Sequence, residues 1–517
     1  MADEILLNEN EKASGIATGL YGRLPIWTSI ERFDPKKTDE LLAEVNSALT
    51  IHGENVVAED FLYWYRRGMT PVLARTKEIR PEINNKINVA IAESVVSFKD
   101  GYFMTKPSFY VSRTAESGID DDVKLLNDYL YRSGKHKADN KVIDWFHTVG
   151  KGDIFIRSND DPKKPFVVDA LDPRNAFVAR SSSPDGRVVY GGYTVKQGDN
   201  LLISVWDDTN VYTLEGAKTQ KTATPEKESL FTATKVVDVR PNPLGAVPII
   251  EYYYNSVMMG AFEQALPLLD AVSYLQSDRL DGVDQAVQSL LVFYNCELDD
   301  DDEENPTTPQ MIRKAGALFL KSVGENKADL KEIVTNLDQT QAQVFIDNLY
   351  EQILTICAMP FTAGARGYSN ASTGQAQLAR DGWFQADTSA RNTEDLFLES
   401  NEQFDEIMLK ILRTKGILDI DPADIKLQIP RNETANVQSK AQAFNTLVAS
   451  GFEPTLAATK SGISNDPVAD IQKSEPYLKM IWGDPSKVDE VEEQTNGQGK
   501  AVIVERSVSE NETEGDI

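Results

Sequence analysis

Apolar residues recur at helical spacing in two long stretches, and the rest of the chain is arranged around them. Phe262–Gln285 predicts a first rod, in which Gly282 is the weak point after Pro267. At about 1.5 Å per residue, roughly 24 residues make a helix of about 36 Å. Asp338–Ala358 predicts a second rod. There Ala342, Ile346, Leu349, Ile353 and Ile356 alternate in steps of four and three, which places them on one packing face. Between the rods, residues 286–337 predict a small α+β module with strands at Leu290–Leu298 and Ala317–Lys321. After the second rod comes a glycine-rich loop, 359–372, and then a long helix over 373–416 with a kink at Gly382.

Upstream, helices are predicted over Asp39–Ala48 and Val57–Arg67, the second with Val57, Phe61, Trp64 and Tyr65 on one face. Pro81–Lys99 has Ile83, Ile87, Ile91 and Val95 at helical spacing, with Asn84, Asn85 and Asn88 on the polar side. Short helices at Asp121–Ser133 and Asn140–Gly150 precede strand-rich segments from Ile154 to Val239 that predict an antiparallel meander. Residues 1–261 therefore read as α+β. Residues 417–483 predict a strand, Ile425–Ile429, and helices Ala435–Ala449, Glu453–Thr459 and Pro467–Ile481. The acidic segment 484–517 lacks aromatic residues and predicts disorder.

Composition changes this picture in one respect. A net charge of −28 and a pI near 4.6 leave no global field that would draw nucleic-acid phosphates. Tight nonspecific DNA binding is disfavoured, though DNA that passes through without sticking is compatible with it. The acidic N-terminus predicts no secretory signal, and no apolar run reaches the length of a membrane span. Two cysteines predict reduced thiols.

Catalytic motifs are missing. The three histidines form no His-Glu-x-x-His, and there is no Gly-x-Ser-x-Gly. The stretch Gly364–Gly374 has the glycine and serine content of a phosphate cradle but no Gly-Lys-Ser/Thr ending, and it follows a helix where that motif needs a strand. Asp299–Glu304 is a block of six carboxylates. It lacks the ligand spacing and glycine of a calcium loop and reads as a solvated turn or a partner contact. On the first rod Asp278 and Asp281 share a face, either solvated or lining a lumen. Three readings remain at this level: a structural conduit, a metal-dependent hydrolase built from dispersed carboxylates, and a monomeric scaffold.

The order of these elements resembles the portal proteins of tailed bacteriophages, in particular the family found in long-tailed phages of Gram-positive bacteria. Four stretches carry the resemblance. Asn88–Pro107 is similar to the family's helix followed by Tyr-x-x-Gly-x-Pro, with Thr105 at the glycine position. Asn242–Asn255 resembles its Gly-x-x-Pro-Ile/Val-Ile-Glu-Tyr passage. Phe262–Gln285 resembles its first stem helix, with Asp281 and Gln285 where asparagine and glutamate are usual. Tyr350–Gly374 resembles the second stem helix, the tunnel loop and the onset of the next helix.

The resemblance implies an α+β portal fold with wing (1–261), stem helices (262–285 and 338–358), clip (286–337), tunnel loop (359–372), long wing helix (373–416) and crown helices within 417–483. It implies a ring of about twelve subunits at one capsid vertex. The implied partners are the terminase large subunit, a head-completion (adaptor) protein, major capsid and scaffolding proteins, and transient double-stranded DNA, with no membrane and no cofactor. The implied location is the virion, with assembly in the host cytoplasm. On this reading Arg366, Tyr368 and Asn370 of the tunnel loop face DNA, Asp278 and Asp281 line the channel, and Asp300, Asp301, Asp302 and Glu303 contact partners at the clip.

Overall fold

A computed structural model describes residues 22–78, 81–113, 119–197, 200–218, 230–287, 290–294, 296–297, 321–322, 329–333, 339–360, 382–430, 437–464 and 467–482. The chain divides into two compact units, residues 1–433 and 434–517.

The first unit opens with a short strand, β1 (Ile26–Thr28), and a 29-residue helix, α1 (Thr38–Arg66). The two helices predicted over this region are one, because the intervening Leu49, His52 and Val56 are buried and continue the inward face through Gly53. That face covers a six-stranded sheet, ordered β1-β5-β6-β7-β8-β9. Strands β5 (Ala176–Ser181), β6 (Val188–Gln197), β7 (Asn200–Trp206), β8 (Asn210–Lys218) and β9 (Phe231–Pro241) form the antiparallel meander, and β1 adds in parallel to β5. Alternation buries Leu201, Ile203 and Val205 of β7 against α1.

A second core lies around α3 (Ile119–Ser133), α4 (Lys135–Val149) and the small sheet β10-β3-β4. Strand β3 is Lys151–Ser158, β4 is Phe166–Leu171 and β10 is Ile249–Tyr253. The long helix α7 (Trp383–Thr414) closes this core with Phe397, Phe404, Ile407, Met408 and Ile411. Gly382 stands at φ +81° as the N-terminal cap of α7, and residues 373–381 of the helix expected over 373–416 lie outside the described residues. Strand β15 (Ile425–Gln428) pairs antiparallel with β2 (Phe109–Ser112).

Helix α2 (Ile91–Phe103) begins ten residues later than the periodicity predicts. Residues 81–90 form a turn and then irregular chain. Two of their backbone donors, the Asn85 and Ile87 amides, bond to side chains of another helix and not to a helical ladder of their own. The two rods are α5 (Leu266–Val287), preceded by a 3₁₀ turn at Glu263–Ala265, and α6 (Gln339–Ile356). Between them β11 (Leu290–Tyr294) pairs antiparallel with β14 (Asp329–Ile333), and β12 (Cys296–Glu297) with β13 (Lys321–Ser322). The second unit holds α8 (Val437–Ala449), α9 (Pro454–Ser461) and α10 (Pro467–Trp482), with Ala457 and Ala458 buried in α9.

Candidate channel stem

The two rods pack along one apolar seam. Leu266, Leu269 and Val272 of α5 meet Ile346, Leu349 and Ile353 of α6, and Cys357 extends the seam at the α6 end. Each fully buried aliphatic side chain contributes about 1.5–3 kcal/mol. Ile356 was expected in this seam but is 45% exposed. From Ile353 the next inward position is four residues on, which is Cys357, so the neighbouring isoleucine turns outward. Burial pushes the Cys357 thiol up to about 11, which makes it an inert core residue. Arg279 of α5 donates to Gln343 of α6 at 2.7 Å. Leu280, Val283, Val344, Phe345 and Ile356 leave apolar surface exposed on the rods.

The start of α5 packs against α1 and α2. Tyr65 donates to Asp270 at 2.8 Å, and Tyr65 stacks on Phe262. Burial raises the Asp270 carboxyl, and the Tyr65 hydrogen bond only partly opposes this.

Residues 75–78 and 81–88 run as a strap against α5. Ser277, Asp281 and Asp284 lie at i, i+4 and i+7, on one side of the helix. The Ile87 amide donates to the Ser277 hydroxyl at 2.9 Å. Asn85 donates to Asp281 through its backbone amide at 2.7 Å and its side chain at 2.8 Å, and its side chain also donates to Asp284 at 2.7 Å. Lys77 makes a short ion pair with Asp281, and Arg75 lies 3.4 Å from the same carboxylate. Asn84 donates to the Arg75 carbonyl within the strap, and Asn88 ties its end to the Gly68 carbonyl just past α1.

The two acidic residues of α5 therefore differ. The Asp278 side chain is 56% exposed and pairs with Arg75. The Asp281 side chain is 5% exposed and anchors the strap inside the chain. Burial alone would raise the Asp281 carboxyl, but Lys77 and the Asn85 donors outweigh it and hold it below the usual range. Sequence reasoning placed Asn84, Asn85 and Asn88 on a helix surface and did not single out Arg75 or Lys77. The available signal was three amide side chains within five residues, after a proline, in a segment otherwise rich in isoleucine.

At the far end of α6, Ala358 stands at φ +50°. Its amide donates to the Thr355 carbonyl at 3.1 Å and that of Met359 to the Leu354 carbonyl at 2.8 Å. This is the closure in which glycine is usual. Arg366, Tyr368 and Asn370, and Asp300, Asp301, Asp302 and Glu303, lie outside the described residues. Among the described residues no group of three or more His, Cys, Asp or Glu is placed to hold a metal ion, and no helix is long and apolar enough to cross a membrane.

The sequence profile "Phage portal protein, SPP1 Gp6-like" matches residues 53–480, and the chain belongs to that family. It is a non-enzymatic structural protein of a phage virion, of the portal class that serves DNA packaging. A comparison with curated proteins gives no match. A solved chain from "Neck of empty GTA particle computed with C6 symmetry" is similar at 12% identity and a TM-score of 0.39, over 72% of this chain and 90% of that one.

Proposed function

We propose that about twelve copies of this chain close into a ring at one capsid vertex, and that double-stranded DNA is packaged and ejected through its central passage. Membership of the portal family over residues 53–480 carries this reading. The paired rods support it. They are tied to the wing at one end by Tyr65 and the strap, and they lead to a small strand module at the other. A heterologous ring brings one surface of each copy against a different surface of the next. The exposed apolar residues of α5 and α6 are suited to that contact.

In this arrangement residues 286–337 form the clip, which meets the terminase large subunit during packaging and the head-completion protein afterwards. Asp300, Asp301, Asp302 and Glu303 supply its acidic contact. Major capsid and scaffolding proteins surround the ring. Arg366, Tyr368 and Asn370 lie closest to DNA. Of the two stem carboxylates, Asp278 is the one exposed enough to face a channel, and Asp281 serves as the internal anchor.

Negative-stain electron microscopy with light scattering tests the proposal. Twelve copies of a 57.5 kDa chain give particles near about 690 kDa with a central hole. Solitary compact particles under every assembly condition would overturn it. Substituting Arg366, Tyr368 and Asn370 together should impair DNA filling or retention while leaving the ring intact.

A further inference from the structure

Where α1, α2 and α4 meet, five side chains join in one hydrogen-bonded chain. His147 Nδ1, on α4, lies 2.6 Å from an Asp100 carboxyl oxygen on α2. The Asp100 carboxyl in turn meets that of Asp144, also on α4, within hydrogen-bond range. Asp144 accepts from the Arg66 guanidinium, at the end of α1, at 2.6 Å. Arg66 also donates to Glu93 of α2 and to the Thr148 hydroxyl of α4, each at 2.7 Å. The rings of Phe103, Phe146 and Tyr254 pack edge-on around His147.

Two carboxyls in contact have no donor between them unless one of them holds a proton. The surroundings of Asp100 favour that proton. Burial pushes its carboxyl up to about 7, and Arg66 and Asp144 only partly oppose this. Burial also raises Asp144, against the pull of Arg66. His147 is driven the other way, well below its ordinary value, by burial and then by the Lys99 charge. A neutral His147 donates through Nδ1–H to one Asp100 oxygen, which directs the proton on the other oxygen at Asp144. The charged groups turned toward this chain are Arg66 of α1, Glu93 and Lys99 of α2 and Asp144 of α4, with Arg67 of α1 beside Glu93.

From this geometry we propose that Asp100, Asp144 and His147 form a proton latch that holds α2 against α4. With the proton in place, donors and acceptors alternate from His147 through Asp100 and Asp144 to Arg66. Without it, two carboxylates face each other and α2 loses its polar hold on α4. Ile91, Val95 and Val96 of α2 belong to the apolar cluster that includes both rods, so the latch steadies the helix against which the rods pack. Opening returns Asp100 toward its ordinary 3.8, so the proton kept by the closed form is released between 3.8 and about 7. Opening therefore becomes easier as pH rises through that window, by up to about tenfold per unit, and is level above it.

Hydrogen–deuterium exchange of the full chain at pH 5, 6, 7 and 8, corrected for the intrinsic exchange rate, tests the latch. Protection of α2 and α4 peptides should fall from pH 5 to pH 7 and then level off. Asp100→Asn reproduces the protonated acid, with a carbonyl to accept from His147 and an amide to donate to Asp144. Its protection should match that of the wild type at pH 5 and stay there at every pH. Asp100→Ser cannot bridge the two, and its protection should be low at every pH. No change with pH in the wild type, or a slope that persists in either variant, would overturn the proposal. So would Asp100→Asn protection as low as that of Asp100→Ser. If Asp100→Asn does not fold, the slope in Asp100→Ser decides: its loss supports the latch and its persistence overturns it.

Discussion

Glu59 is completely buried on α1, beside Lys151 and Arg23, and its carboxylate oxygens have no hydrogen-bond partner among the described residues. Burial pushes it up to about 7 from an ordinary 4.5. Between these values the folded chain keeps a proton that the unfolded chain has released. Stability therefore falls as pH rises through that window and stays lower above it. Glu59→Gln is expected to gain on the wild type from pH 5 to pH 8, by up to about 3 kcal/mol. Thermal melts across that range check it. Asp281 has the opposite sign. Its carboxyl is held below 3.8, so its contribution is present above that value and is lost as pH falls through the lowered one. Asp281→Asn should cost about 2 kcal/mol at pH 7, and the gap to the wild type should close in acid. Melts at pH 7 and pH 3 would show a constant gap if the ion pair contributes nothing.

Single residues act here through the elements they join. Gly150 ends α4 at φ +94°, and a Cβ there would lie 1.9 Å from the Met258 carbonyl oxygen. Gly150→Ala should cost at least about 3 kcal/mol, read as a lower Tm or loss of soluble protein. Between the rods, Ile353→Ala should cost about 2–5 kcal/mol by opening the seam that α5 and α6 share with α1 and α2. Denaturant titration of the two variants measures both. The rods themselves were legible, because both carry a sustained apolar period and their ends fall within a few residues of the expectation. The strap was not. Ile83, Ile87 and Ile91 have helical spacing, yet the Asn85 and Ile87 amides bond to α5. Periodicity reports which residues face apolar surroundings, and it does not say whether a backbone donor has found a partner on another element.

At the scale of the whole molecule, each copy carries a formal charge of −28, so bringing copies together sets like charges side by side. Salt screens such repulsion beyond about 10 Å at 0.1 M and more closely at higher concentration. Raising salt from about 50 to 500 mM should therefore shift the protein toward the large particle, as read by light scattering. A mass that falls over the same range would mean that copies are held by ion pairs in preference to the exposed apolar surface of α5 and α6.

The order of the elements, the two rods and the α+β character of the chain before them were written in the amino-acid sequence, because amphipathic period and turn residues are local properties. So was the resemblance to a portal, which rests on four short passages in a fixed order. Tertiary structure alone decided that α1 is one helix and that Gly382 caps α7. It also decided that Asp281 is an anchor and that the Lys99 side chain is buried. Each of these depends on partners supplied by distant segments. Burial and pairing, which set the charge state and role of a polar group, exist only once those segments have met.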